Sequence, residues 1–246
     1  MNVIQTWRAL GPVDMRNVWR DPLLRWLIVL PLVAALAARW FLPSLLAQVE
    51  ALLQVPLLPY YSPFMGYAIV LLGPMLAGVV IGFLLLDQRD DQTLIALQVT
   101  PLSLNNYLFY RLTVPVLISI PLTMVTLLLS GLAPGGTIAL LAVALVAAPM
   151  APLFALFLAA FATNKVQGFA LQKGMGIIML PPLLAYFVPA PWTWLFGLVP
   201  TYWPAQVLWL AQADNGRFWL PLIIGLLLQM FLLWLLLRRY NRIMRQ

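Results

Sequence analysis

Residues 73–101 read GPMLAGVVIGFLLLDQRDDQTLIALQVTP. An uncharged apolar run gives way at residue 87 to an acidic knot, then to a brief apolar stretch that a proline closes. Crossing roughly 30 Å of hydrocarbon takes about 20 apolar residues in a helix, and residues 64–86 supply them. The chain has seven acidic residues in all, and three of them, Asp87, Asp90 and Asp91, crowd into this one turn. Asp90 or Asp91 is placed to cap a following helix, accepting hydrogen bonds from its free N–H groups and complementing its positive end. Pro101 stops that helix. Between them Leu94, Ile95, Leu97 and Val99 are apolar, and a helix of about ten residues is marginal alone in water. Its apolar side must pack, either in its own bundle or in a groove on a partner.

The composition extends this reading to the whole chain. Of 246 residues, 63% are hydrophobic and 9% charged, with a mean hydropathy of +0.95; a soluble domain runs nearer to about 25% charged. No polar stretch is long enough to build a soluble domain. Cysteine and histidine are both absent, which removes disulfides, thiol chemistry and the commonest transition-metal ligands, so no metal site is expected. The net charge of +7 would suggest nucleic acid in a soluble chain. Here it is a topology signal, and no nucleic-acid partner is expected. The N-terminal residues lack an apolar core followed by a small-residue cleavage site, so no removable signal peptide is read.

The expected fold is an all-α membrane protein, one transmembrane domain over residues 1–246 with six spans at 24–42, 64–86, 108–130, 137–163, 174–188 and 218–237. The fifth is short, and residues 192–210 are apolar enough to suggest a seventh. Charge decides against it, because cytoplasmic flanks collect Lys and Arg. Six spans with both termini cytoplasmic place twelve of the fourteen basic residues inside, leaving Arg39 and Arg217 outside. Residues 192–210, with Trp192, Trp194, Trp203, Trp209, Pro200 and Pro204, are read as re-entrant or interfacial helices between spans five and six; the alternative is an aromatic belt on a simple loop. Residues 1–23 read as an amphipathic helix on the inner membrane surface, Met15, Val18 and Trp19 against lipid and Arg16 and Arg20 among phosphates.

No acidic residue falls within a span. Ion-driven carriers commonly rely on an ionisable group inside the membrane, and membrane hydrolases on acid–base or metal chemistry; the sequence disfavours both. It also lacks the G-x-x-x-x-G-K-[ST] phosphate loop. The chain is therefore expected to be non-catalytic, with no cofactor of its own, and any ATP and magnesium would sit in a partner ATPase.

At residues 87–111 the chain resembles six-span permeases of bacterial ATP-binding-cassette exporters of the drug and antibiotic type, which carry E-x-E-x-G-T-L-x-A-L-x-V-T-P-x-S after the second span. The resemblance extends to the entry helix ending RDP, to NKVQGFALQKGMGIIMLPP near the fifth span and to LVPTYWP before the sixth. Gln92 departs from the glycine many relatives carry there. The resemblance implies that the loop is a coupling helix seated in a nucleotide-binding ATPase subunit, with Asp87, Arg89, Asp90, Asp91, Thr93, Leu94, Leu97, Thr100 and Pro101 as the transmission site. It implies a second permease, identical or homologous, with spans two and five facing a central route. It also implies an inner-membrane location and export of cargo. Met75, Phe83, Gly174, Met175, Ile178, Met179 and Tyr186 are candidate lining residues, and a lining this apolar suits a hydrophobic or amphipathic cargo. A scaffold that docks a cytoplasmic partner without moving cargo is the alternative.

Two further features are legible. Ser119, Thr123, Thr126 and Ser130 form a polar stripe on one face of span three, fit either to line a route or to receive a neighbouring helix. Gly78 and Gly82 make a G-x-x-x-G that permits close helix approach. Pro31, Pro74, Pro115, Pro121, Pro149, Pro152, Pro181 and Pro182 are candidate kinks.

Overall fold

The computed structural model describes residues 22–90, 104–189 and 191–243. The amphipathic helix expected over 1–23 and the coupling helix expected after Asp91 lie outside the described residues, apart from the two residues that begin α1. All regular structure among the described residues is helical. In chain order the elements are α1 (Pro22–Trp40), α2 (Leu42–Leu53), α3 (Leu58–Asp90), α4 (Leu104–Ser130), α5 (Thr137–Ala147), α6 (Met150–Phe161), α7 (Lys165–Met175), α8 (Leu180–Ala185), α9 (Tyr202–Gln212) and α10 (Trp219–Ile243), with short 3-10 turns at Gly176–Met179, Trp192–Leu198 and Gly216–Phe218.

Among the described residues, five stretches are long and apolar enough to cross a membrane: Leu58–Arg89, Asn106–Ser130, Thr137–Phe161, Lys165–Ala185 and Gly216–Arg242. Val29–Trp40 with Leu42–Leu53, bent by 49°, makes a sixth if the pair is one broken span. The span expected at 174–188 begins instead at Lys165. Lys165, Gln167, Gln172 and Lys173 dilute its hydropathy, yet Asn164 starts a well-capped helix there. Asn164 Oδ1 accepts from the Gln167 N–H at 3.0 Å, while Gln167 Oε1 accepts from the N–H and hydroxyl of Thr163 at 3.0 and 2.7 Å, a reciprocal arrangement akin to a capping box.

The bundle is built around Thr137–Phe161, whose apolar window is 83% buried, whereas Lys165–Ala185 and Gly216–Arg242 are peripheral at 22% each. The tightest seam joins α3 to α6. It closes because Gly78 and Gly82, one turn apart, face Ala151 and Ala155, also one turn apart: a Cβ on Gly78 would sit 2.4 Å from the Ala151 carbonyl oxygen, and one on Gly82 would sit 3.2 Å from that of Ala155. Without a hydrophobic drive between helices in lipid, such small-residue ridges hold spans together by close packing.

The central span is interrupted between Ala147 and Met150. Pro149 and Pro152 have no N–H to give, so carbonyls at the end of α5 lose helical partners. Gln229, the one polar residue in the apolar part of α10, braces the chain beside this break: its Nε2 donates to the Val146 carbonyl at 3.0 Å, fully buried. Its Oε1 has no partner among the described residues. Replacing Gln229 with leucine should therefore cost no more than about 1 kcal/mol, since the unpaired oxygen leaves with the donor; the thermal midpoint of the detergent-solubilised protein measures it.

The helix α9 spans 11 residues, about 16 Å at 1.5 Å per residue, too short to cross. It is nevertheless wedged into the bundle, with Tyr202, Trp203, Ala205, Val207, Leu208 and Ala211 buried. Trp203 fits because Gly197 and Gly225 have no side chains: its Nε1 donates to the Gly197 carbonyl at 2.9 Å, and a Cβ on Gly225 would meet its own Cβ at 2.5 Å. The preceding 3-10 turn differs, exposing Trp192, Trp194, Leu195 and Leu198 as interfacial anchors do.

Candidate functional site

Polar side chains gather at one end of the bundle, where α3 leads into the expected coupling segment. Asp87 Oδ1 pairs with Lys165 Nζ at 2.8 Å, tying the end of α3 to the start of α7. The next residue, Gln88, accepts from the Tyr107 hydroxyl at 2.6 Å, and Tyr107 accepts from Arg111 Nε at 2.9 Å, which ties α3 to α4. Arg89 donates to the Ala162 carbonyl at 3.4 Å, and Arg239 of α10 donates to the Ala160 carbonyl at 3.1 Å while its guanidinium lies over the Phe161 ring. Both arginines thus satisfy the carboxyl end of α6, where free carbonyls and the negative end of the helix dipole favour cations. Three consecutive residues of α3 engage three different elements within one turn.

Of the sequence-predicted transmission residues, Asp87 and Arg89 are part of this network. Asp90 ends α3. Asp91, Thr93, Leu94, Leu97, Thr100 and Pro101 lie outside the described residues.

The candidate lining residues fall on α3 and the α7–α8 stretch, but they face different ways. Met175 is buried, whereas Gly174 is exposed and a Cβ there would meet nothing within 4 Å. Phe83 is half-buried, its ring 4.5 Å from that of Phe169 and close against Gly168. Met75 is half-buried in the core. The carbonyls of Ile178 and Met179 accept from the Thr201 hydroxyl at 2.6 Å and the Tyr67 hydroxyl at 3.2 Å, so two hydrogen bonds hold the 3-10 turn against α9 and α3. Tyr186 lies in a cluster of rings at the far end.

The polar stripe of α4 is buried throughout. Thr126 Oγ1 donates to the Leu122 carbonyl at 2.9 Å and Ser130 Oγ to that of Leu127 at 2.9 Å, whereas Ser119 Oγ and Thr123 Oγ1 have no partner among the described residues.

The end opposite the polar network is aromatic. Tyr60 and Phe64 at the start of α3, Tyr186 and Phe187 after α8, and Trp209 of α9 bring their rings within 5.3 to 6.2 Å of one another. Trp209 Nε1 donates to the Pro63 carbonyl at 3.0 Å, and Gln212 Nε2 to that of Leu132 at 2.7 Å. Glu50 caps α3 at this end, its Oε2 accepting from the N–H groups of Leu57 and Leu58 at 3.0 Å each. Sequence reasoning singles out Tyr186 as a lining candidate and Trp209 as an interfacial one but misses their convergence with Tyr60, Phe64 and Phe187, because each resembles an interfacial aromatic on its own.

The family model for "Fluoroquinolones export permease protein Rv2686c-like" matches residues 14–237. Two relatives from Mycobacterium tuberculosis, the fluoroquinolones export permease proteins MT2760 (strain CDC 1551 / Oshkosh) and Rv2686c (strain ATCC 25618 / H37Rv), are each 31% identical over 235 residues, covering 95% of this chain and 93% of the relative. No solved structure matches significantly. With several helices long enough to span a bilayer and a family match over nearly its whole length, the chain belongs to the Rv2686c-like family of fluoroquinolone export permeases.

Proposed function

We propose that this permease is the membrane subunit of an ATP-driven exporter in the bacterial inner membrane, with both termini and the polar network on the cytoplasmic side, and that its cargo includes drugs of the fluoroquinolone type. The cargo assignment follows the relatives' names. The energy source follows from the sequence: no acidic residue lies mid-span to serve an ion-driven cycle, and TLIALQVTP behind an acidic turn offers a partner ATPase a short apolar helix to grip. One observation carries the mechanical part. Asp87, Gln88 and Arg89, the turn from which that segment departs, are anchored to α7, α4 and the end of α6. A displacement of the segment therefore pulls on three elements at once, which is what a two-state transmission element requires.

The α7–α8 face supports pairing with a second permease, identical or homologous. Val166 and Ile177 are 79% and 69% exposed, and Gly174 and Gly176 have nothing within 4 Å of a built Cβ, so a second helix has room to approach closely. ATP and magnesium belong to the nucleotide-binding partner in this reading. The test is purification of the full-length permease from native membranes under mild detergent. The reading expects a nucleotide-binding subunit to come with it and norfloxacin to stimulate the ATPase of the pair; a preparation with no such subunit and no ATPase contradicts it.

The Asp87–Lys165 pair gives a sharper expectation. The two side chains are 34% and 56% exposed, so the pair is worth at most about 1 kcal/mol of stability. As a positioning contact it matters more. Asp87→Lys should lower ATP-driven export several-fold with almost no change in thermal midpoint, and Asp87→Lys with Lys165→Asp should restore it. Unrestored export in the double variant assigns Asp87 some other role.

A further inference from the structure

Two of the five clustered rings lie on α3, two follow α8 and one belongs to the inserted α9, so three elements distant in sequence converge on one spot. The cluster is constructed rather than incidental. Trp209 is fixed by the Pro63 carbonyl, and the α8 side is held by the hydrogen bonds from Tyr67 and Thr201 to the carbonyls of Met179 and Ile178. Ring pairs are edge-to-face or tilted, apart from the stacked Tyr60–Phe64 pair. Phe187 is 61%, Tyr186 41% and Tyr60 37% exposed. An ordinary interfacial belt presents single aromatics to the headgroups; this cluster instead packs rings upon rings. The hydroxyls of Tyr60 and Tyr186 make no hydrogen bond to the described residues, so the apolar shelf is edged by two free donors.

We propose that the wedge of Tyr60, Phe64, Tyr186, Phe187 and Trp209 is a binding site for flat fused-ring cargo at the end of the bundle opposite the polar network. The inference rests on the cargo class of the proposed function and places it at named residues. A fluoroquinolone presents a planar bicyclic ring with a keto group and a carboxylate side by side on one edge. Its plane stacks on the exposed face of Phe187 while the Tyr186 ring, at 83° to Phe187, meets its edge, and its acceptor edge takes the tyrosine hydroxyls. Stacking on aromatic side chains tolerates changes at the periphery of a drug, which suits an exporter serving a class of compounds. In the proposed topology this is the exit side.

The experiment uses the full chain in lipid nanodiscs and norfloxacin, whose own fluorescence reports binding through its polarisation, without ATP or a partner subunit. Wild-type protein is expected to bind, Tyr186→Leu and Phe187→Leu each to bind roughly tenfold more weakly, and Tyr186→Phe, which keeps the ring and loses one donor, to fall between wild type and Tyr186→Leu. If Tyr186→Leu does not fold, Phe187→Leu carries the test, because that side chain is largely outside the packing. Binding that is present in the wild type and indifferent to both leucine variants overturns the site while leaving the cargo assignment standing. No binding by the wild type removes the cargo assignment and the site together. Unchanged binding with loss of a dimer assigns the wedge to a contact between copies and also overturns it.

Discussion

Gly78→Val is expected to abolish folded protein. The added Cβ alone would lie 2.4 Å from the Ala151 carbonyl oxygen and 2.8 Å from Phe154 Cβ, and a carbonyl inside α6 cannot yield without breaking its helix. The seam must open, and α3 with α6 is the most extensive helix pair in the bundle. Inserting methyl groups into a packed core costs typically about 1–3 kcal/mol, and a backbone contact with no flexible side chain to absorb it belongs at or above the top of that range. Domain stabilities run to roughly 5–15 kcal/mol, so the expected result is aggregation or a large drop in thermal midpoint on size-exclusion and melting assays. Gly174→Ala is the control. A Cβ there meets nothing within 4 Å, and exchanging glycine for alanine within a helix stabilises by roughly 0.5–1 kcal/mol. Equal behaviour of Gly78→Val and Gly174→Ala would remove the close-packed seam from the account.

The second large effect concerns function and leaves the fold alone. Leu94→Asp or Leu97→Asp should cut norfloxacin-stimulated ATPase of the permease with its nucleotide-binding partner by at least about tenfold. At three residues apart, the two leucines would share one face of the helix expected from the sequence. If that face lies in an apolar groove of the partner, a carboxylate there is an unpaired buried charge, and truncating or charging a central interface anchor costs about 2–4 kcal/mol. Membrane insertion and norfloxacin binding at the aromatic wedge should persist, because that wedge is at the other end of the bundle. ATPase unchanged by both substitutions would detach the coupling role from this segment.

Much of the architecture was legible from composition. Hydropathy marks the apolar stretches, and G-x-x-x-G at Gly78 and Gly82 points to the close seam, although only the structure shows that Ala151 and Ala155 receive it. The prolines show where sequence reading stops. Pro31, Pro74, Pro115 and Pro121 sit inside continuous helices, and Pro181 and Pro182 occupy the first turn of α8, where a missing N–H costs little. Pro149 separates α5 from α6. Another proline follows three residues later, and Gln229, from a helix distant in sequence, donates to the Val146 carbonyl beside the break. The bend after Trp40 has a local signal in Pro43, in the first turn of α2, whereas the aromatic wedge depends on what packs alongside and leaves no local pattern. At the polar end, Asp87 and Arg89 stood out as rare charges, while Gln88, Tyr107 and Lys165, which bind that turn to its neighbours, have no spacing that links them in advance.

The claim that ATP hydrolysed by a partner drives drug outward is tested most directly by norfloxacin movement in inside-out membrane vesicles containing the permease and its nucleotide-binding subunit. Uptake should require hydrolysable ATP, disappear with Leu94→Asp, and continue when an ionophore collapses the proton gradient. Uptake that follows an imposed proton gradient with no ATP present would contradict the account.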